Sequence, residues 1–233
     1  AGCAADRPHR RGASYTEGDI FGIPTCKVDE FSASAAGALA LSGREQGVVV
    51  TMGTGTAFLW AEQNGTVRHL CGSGIGGGTL GGLCHKLVGM ERFGQIKKLA
   101  AQGDLNQVDL TIRDITCNPA PTLDPTLTAA NFGNLAEDAT PADLAAGAVN
   151  LVLQAIGTMT VLACQCCSSR TVVLTGSMTT LDQVQINFET LSTSIISTIS
   201  FLKTPPLPLP SVPALQPAEK THRLTAPTEQ PLQ

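Results

Sequence analysis

The sequence predicts an α/β protein, and three observations carry that expectation. β-Branched and aromatic residues fill GVVVTMGTGTAFLW (residues 47–60) on both sides of a Gly-Thr-Gly-Thr tip, which reads as a hairpin. Apolar residues then recur at helical spacing, first Leu80, Leu83 and Leu87, next Ile96, Leu99 and Ala100. A third run opens at Thr140-Pro141-Ala142-Asp143, a helix start with proline in its first turn, and carries no charge between Asp143 and Arg170.

In chain order, Asp29 and Glu30 come first, ahead of the small-residue helix in FSASAAGALALSG. Carboxylates there favour the helix start, and one facing a cleft can orient or deprotonate an alcohol. After the hairpin, AEQNGTVRHL places a turn of the primed type at Asn64-Gly65 and a strand from Thr66 to Leu70, so the strands form an antiparallel meander. GSGIGGGTLGGL (residues 72–83) joins that strand to a helix, and a further helix ends near Gly103. The segment CNPAPTLDPTLTAANFG is predicted as loop, and TVVLTGS after Arg170 as a short strand. Proline density from Thr204 onward cannot build a packed core, so residues 204–233 are expected to form a disordered tail.

The 233 residues are enough for one large domain. A net charge of −4 with interspersed signs excludes the basic footprint of a nucleic-acid binder and offers little to a membrane surface. The basic stretch RPHRR is followed by no apolar run of signal-peptide type, so a cytoplasmic location is expected. The uncharged run after Asp143 has the length of a bilayer span. Asn150, Gln154, Thr158 and Thr160 interrupt it, and Gly147 and Gly157 dilute it, so it reads as a helix buried in a core or subunit interface. Cys3, Cys26, Cys71, Cys84, Cys117, Cys164, Cys166 and Cys167 lack the paired spacing of a tetrahedral zinc site and read as reduced thiols; no metal ligands are assigned.

A cluster of glycines as dense as residues 72–83 needs a compensating reason, and close backbone approach to a ligand is one. Gly72–Gly77 matches G-x-G-x-x-G, but the region that should supply a ribose-binding acid is basic and helical, and no Gly-Lys-Ser/Thr follows. The remaining reading is of two small-residue turns, Gly53-Thr54-Gly55-Thr56 and Gly76-Gly77-Gly78-Thr79, offering backbone N–H groups to a phosphate. Plain tight turns are the alternative.

The blocks KVDEFSASAAGALALSG, VVVTMGTGTAFLW, HLCGSGIGGGTLGGLCHKL, GDLNQVDLTIRDI, LTAANFGN and TVVLTGSMTT, in this order, resemble the type II pantothenate kinases over about residues 12–200. The resemblance implies an actin-like, ribonuclease-H-type kinase fold with an incomplete first lobe, a homodimer packed through helices, and transfer of the ATP γ-phosphate to the primary hydroxyl of pantothenate. ATP and Mg²⁺ are the implied cofactors, and an acyl-coenzyme A thioester a possible feedback ligand. Glu30 matches the catalytic carboxylate. Thr54, Gly77, Gly78, Thr79, Leu80 and Gly81 match nucleotide contacts, with Phe93 beside the nucleotide and Ser177 at its adenosine end. Gly53, Gly55, Arg68 and His69 fall near the phosphates; His69 stands where many relatives carry an arginine, and Arg68 should point to the other strand face.

The implied domain spans residues 12–203, with an unassigned remnant at 1–11. Relatives begin with an Asp-x-Gly-Gly-Thr phosphate loop upstream of this chain's start, and they close with an Ala/Gly-rich strand and helix where the proline-rich tail stands here. The chain is therefore expected to be a piece of something longer and a weak or inactive kinase. The alternative is a non-catalytic, dimerising fragment that binds nucleotide or acyl-coenzyme A.

Overall fold

Helix α1 (Glu30–Ser42) leads through the left-handed Gly43 into strand β1 (Gln46–Met52), which lies at the centre of a mixed sheet. The computed structural model describes residues 28–117, 125–191 and 196–202. The expectations for residues 1–11, Cys3, Cys26 and the 204–233 tail fall outside them. β2 (Thr56–Glu62) pairs antiparallel with β1, and β3 (Val67–Ser73) antiparallel with β2. On the other side β6 (Thr171–Thr175) and β7 (Thr198–Phe201) continue the sheet in parallel, so its order is β3-β2-β1-β6-β7. The fold is mixed α/β, as the sequence predicts.

β1 is apolar almost throughout because both its faces are covered. Val48, Val50 and Met52 enter one cluster with Phe58, Val172 and Leu174, while Val49 enters the other with Leu59, Ala61 and Val173. Helix α1 covers the second face with Ala35, Ala38 and Leu39, whose small size lets the helix lie close. The first face is covered by α2 (Gly77–Val88), α3 (Phe93–Ala100), α5 (Pro141–Cys166) and α6 (Asp182–Leu191). Between α3 and α5 lie a short pair of strands, β4 (Leu110–Thr111) and β5 (Thr128–Ala130), and the one-turn helix α4 (Ile112–Ile115).

The long helix is a core element. Thr140 caps it, donating through Oγ1 and its own N–H to the Asp143 carboxylate. That carboxylate also accepts from the Asp104 N–H at 2.7 Å. α5 is long and apolar enough to cross a bilayer, yet 61% of its most apolar stretch is buried in the protein. Two of its buried polar residues are bonded: Asn150 Nδ2 donates to Asp109 at 2.6 Å and to Thr128 at 3.2 Å, and Thr160 donates to the Ile156 carbonyl. Asp109, also buried, accepts further from the Phe132 N–H and Asn131.

Two expectations need correction. The Asn64-Gly65 turn is not of the primed type, because Asn64 keeps negative φ and only Gly65 is left-handed. Gly65 N–H donates to Glu62 O, and Thr66 N–H to Asn64 Oδ1, making a longer loop with glycine at its left-handed end. The segment predicted as loop contains β5, recruited by β4 although three residues carry little strand signal of their own.

Removing the Asn150 amide leaves the buried Asp109 carboxylate short of a donor. Asn150→Ala is expected to destabilise the protein by about 2–3 kcal/mol in urea unfolding, more than a surface Asn→Ala change. Hydrogen bonds from Asp104 and Thr140 hold the Asp143 carboxyl below its ordinary 3.8. Its stabilisation is therefore complete above the unfolded-state value and is lost as pH falls through the lower folded value. The stability gap between the protein and Asp143→Asn should stay constant above about pH 5 and narrow progressively in more acid solution.

Candidate functional site

β3 runs antiparallel to β2, and β2 to β1, so β1, β3 and β6 all finish at one end of the sheet. Each ends in glycine: Gly53–Gly55 after β1, Gly74–Gly76 after β3, and Gly176 after β6. Ligands of open α/β sheets gather at such an end.

The first two turns are bonded to each other. Gly77 N–H donates to Gly53 O and Gly78 N–H to Thr54 O, both at 2.8 Å, while Thr56 Oγ1 donates to Ile75 O. A Cβ on Gly76 would lie 2.7 Å from the Gly55 carbonyl carbon, and one on Gly55 would lie 2.6 Å from Ser73 O. The third turn joins them, since Gly176 (φ 104) lies against the backbone of Met52 and the Met178 side chain approaches Gly77.

Much of the glycine density therefore serves turn-on-turn contact, and the amides of Gly77 and Gly78 are already spent. Thr79 is spent too: its hydroxyl donates to Gly74 O at 2.7 Å. Among the described residues, the backbone N–H groups of Thr54, Gly55 and Thr79 have no acceptor, and Thr54 is exposed. Leu80 points its side chain into the core, leaving only backbone for a ligand, and Gly81 has open space around its Cα.

The remaining candidates are carried by the elements around the sheet. α1 is joined to β1 through Gly43 and packs on its second face, so Glu30, its first residue, lies at the end of α1 away from the start of β1. The neighbouring Asp29 is the cap: it accepts from the Ser32 N–H and Oγ at 2.8 Å each, and these bonds hold its carboxyl below the ordinary range. Glu30 is exposed and makes no hydrogen bond or ion pair among the described residues. Phe31 stacks on His69, with ring centroids 5.2 Å apart, so α1 and His69 share a face of the sheet. Arg68 points the opposite way, and its Nη2 donates to Cys167 Sγ at 3.5 Å. The structure does not bring Arg68 to the turns.

Phe93 opens α3, half-buried against the core, and Ser177 opens the 3₁₀ turn Ser177–Thr180. Sequence reading passed over Lys97, which links them. It lies one helical turn beyond Phe93, and its Nζ donates to Thr180 O at 2.5 Å and pairs with Asp182 at 3.1 Å. The signal was its spacing of four from Phe93, which only the fold gives meaning. Among the described residues no group of three or more His, Cys, Asp or Glu gathers as a metal site.

The Fumble family model matches residues 47–199. A curated relative named type II pantothenate kinase from Oceanobacillus iheyensis is 34% identical over 136 residues, which cover 56% of this chain and 50% of the relative. One of the same name from Staphylococcus aureus strain USA300 is 31% identical over 165 residues, 66% of this chain and 61% of the relative. The chain thus spans between half and about three-fifths of the length of these relatives.

Two glycines separate packing from binding. Gly76→Ala should destabilise the fold by about 1–3 kcal/mol, because its methyl group meets backbone that cannot swing away. Gly81→Ala has room and should leave stability unchanged or raise it by up to about 1 kcal/mol. Thermal unfolding of both variants, beside their affinity for an adenine nucleotide, tells whether either glycine serves a ligand.

Proposed function

The chain belongs to the Fumble family, and on that premise we propose that it phosphorylates pantothenate to 4′-phosphopantothenate with ATP, the step that opens coenzyme A synthesis. The observation that carries the reading is the convergence of the three glycine turns at the carboxyl ends of β1, β3 and β6. The mixed sheet, an antiparallel meander extended by parallel strands, supports assigning the region to a ribonuclease-H-type lobe of the actin-like kinase fold within a domain spanning residues 12–203.

Phosphoryl transfer asks a protein chiefly for position and charge neutralisation. The unspent amides of Thr54, Gly55 and Thr79 would receive phosphate oxygens, and the mutual bonding of the turns fixes those amides before the nucleotide arrives. Phe93 and Ser177 would flank the adenosine, and Lys97 holds the Ser177 turn against α3. Glu30 would accept the proton of the pantothenate hydroxyl as its oxygen attacks the γ-phosphorus; the new O–P bond forms while the bond to the β,γ-bridging oxygen breaks. His69, on the face of α1, would lie on the acceptor side. Mg²⁺ supplies charge neutralisation when bound with the nucleotide phosphates and needs few protein ligands beyond them.

The same reading makes the protein cytoplasmic and homodimeric, with copies meeting along the exposed part of α5, where Leu162 is 54% exposed. It leaves an acyl-coenzyme A thioester as a feedback ligand, and neither nucleic acid nor membrane as a partner.

Labelled pantothenate with Mg-ATP tests the chemistry, and a nonhydrolysable ATP analogue tests the turns. The expected result is weak turnover that Glu30→Gln lowers by at least about 100-fold with nucleotide affinity retained. Nucleotide binding without turnover in the unsubstituted chain would favour a non-catalytic binding fragment. Absence of both would end the assignment.

A further inference from the structure

At the opposite end of the sheet from the turns, α5 finishes with Cys164-Gln165-Cys166-Cys167 against the start of β3. The last turn is still helical: Cys167 N–H donates to Ala163 O at 3.2 Å and Ser169 N–H to Cys164 O at 2.9 Å, with Ser168 left-handed at φ 50. Residues three apart on such a turn have Cα atoms about 5 Å from each other by helix geometry, inside the range that a disulfide accepts. Cys164 and Cys167 are free, Cys164 fully buried and Cys167 half-buried. The Arg68 guanidinium donates to the Cys167 sulfur, which places a cation beside that sulfur. None of this is used by the nucleotide end of the molecule.

We propose that Cys164 and Cys167 form a reversible dithiol–disulfide pair, in which Cys167 reacts first with a hydroperoxide and Cys164 resolves the product. The Cys167 thiolate attacks one peroxide oxygen; the S–O bond forms, the O–O bond breaks, and the other oxygen leaves with a proton as an alcohol or water. The Cys164 sulfur then attacks the sulfenic sulfur of Cys167; the S–S bond forms, and the S–O bond breaks to release hydroxide, which takes the Cys164 proton as water. Two thiols are oxidised and one peroxide is reduced, and an external dithiol reverses the change.

Burial supports the order of events. It pushes the Cys164 thiol up to about 11, so this sulfur stays protonated until a partner is oxidised beside it. Cys166 is exposed but adjacent to Cys167, and adjacent helix residues face different ways. Cys71, half-buried on β3, is the other candidate partner. As the bridge forms, the Cys167 sulfur turns from Arg68 toward Cys164, and the hydrogen bond from Arg68 is lost.

The test treats the full chain with hydrogen peroxide, alkylates the remaining thiols after denaturation and maps them by mass spectrometry. The expected bridge joins Cys164 to Cys167 and opens with dithiothreitol. Cys164→Ser should accumulate a dimedone-reactive sulfenic acid at Cys167, and Arg68→Gln should slow bridge formation about tenfold. Mapping the unsubstituted chain needs no variant to fold. A Cys71–Cys166 bridge, dimedone labelling of Cys166 in place of Cys167, or unreacted Cys164 and Cys167 after Cys166 has been oxidised would each overturn the proposal.

Discussion

The hydrogen bonds from Gly77 and Gly78 to the carbonyls of Gly53 and Thr54 fix the working end of this molecule. They join backbone to backbone, with no side chain between, so α2 begins where the β1–β2 hairpin tip ends. A Cβ at Gly76 would push the two apart, and one at Gly176 would push β6 away from Met52. Because the bonds are short and the surrounding core is close-packed, the turns have little freedom to rearrange around a ligand. Under the proposed kinase reading such turns are preorganised, which is the property that electrostatic catalysis requires.

That rigidity has a source in the centre of the sheet. β1 is hydrogen-bonded on both sides and buried on both faces, and the turn that follows it inherits its position. α1 and α2 approach this end from opposite faces, one bringing a carboxylate and the other a helix N-terminus. α5 is the counterweight. Its apolar length fills the space beneath the sheet, and its one buried amide is matched to Asp109.

The elements were largely legible because periodicity survives in single segments. The hairpin, the capped start of α5 at Thr140 and the strand after Arg170 follow from local pattern alone. What the sequence hid was partnership. Nothing in GSGIGGGTLGGL says which amides are spent on a turn far away in the chain, and so glycine density suggested more phosphate donors than remain. Asp29 and Glu30 look alike in sequence, yet one is consumed by Ser32 and the other has no partner among the described residues. The Asn64-Gly65 turn was misread because its type depends on how many residues separate the strands, and β5 was missed because three residues become a strand only when β4 offers them an edge.

Strand alternation completes the division of labour. Arg68 and His69 are neighbours in sequence and would appear interchangeable as cations, but the pleat sends them to opposite faces. His69 lies with Phe31 on the side of α1; Arg68 lies with Cys167 on the side of α5. A residue's face decides its chemistry here more firmly than its type. The arginine that charge alone would place near phosphate is held instead against sulfur, and the side chain that shares a face with Glu30 is a histidine stacked on an aromatic ring. Substituting one for the other would have to move a strand by one residue, which would also turn Leu59's partner and the whole β2–β3 register inside out.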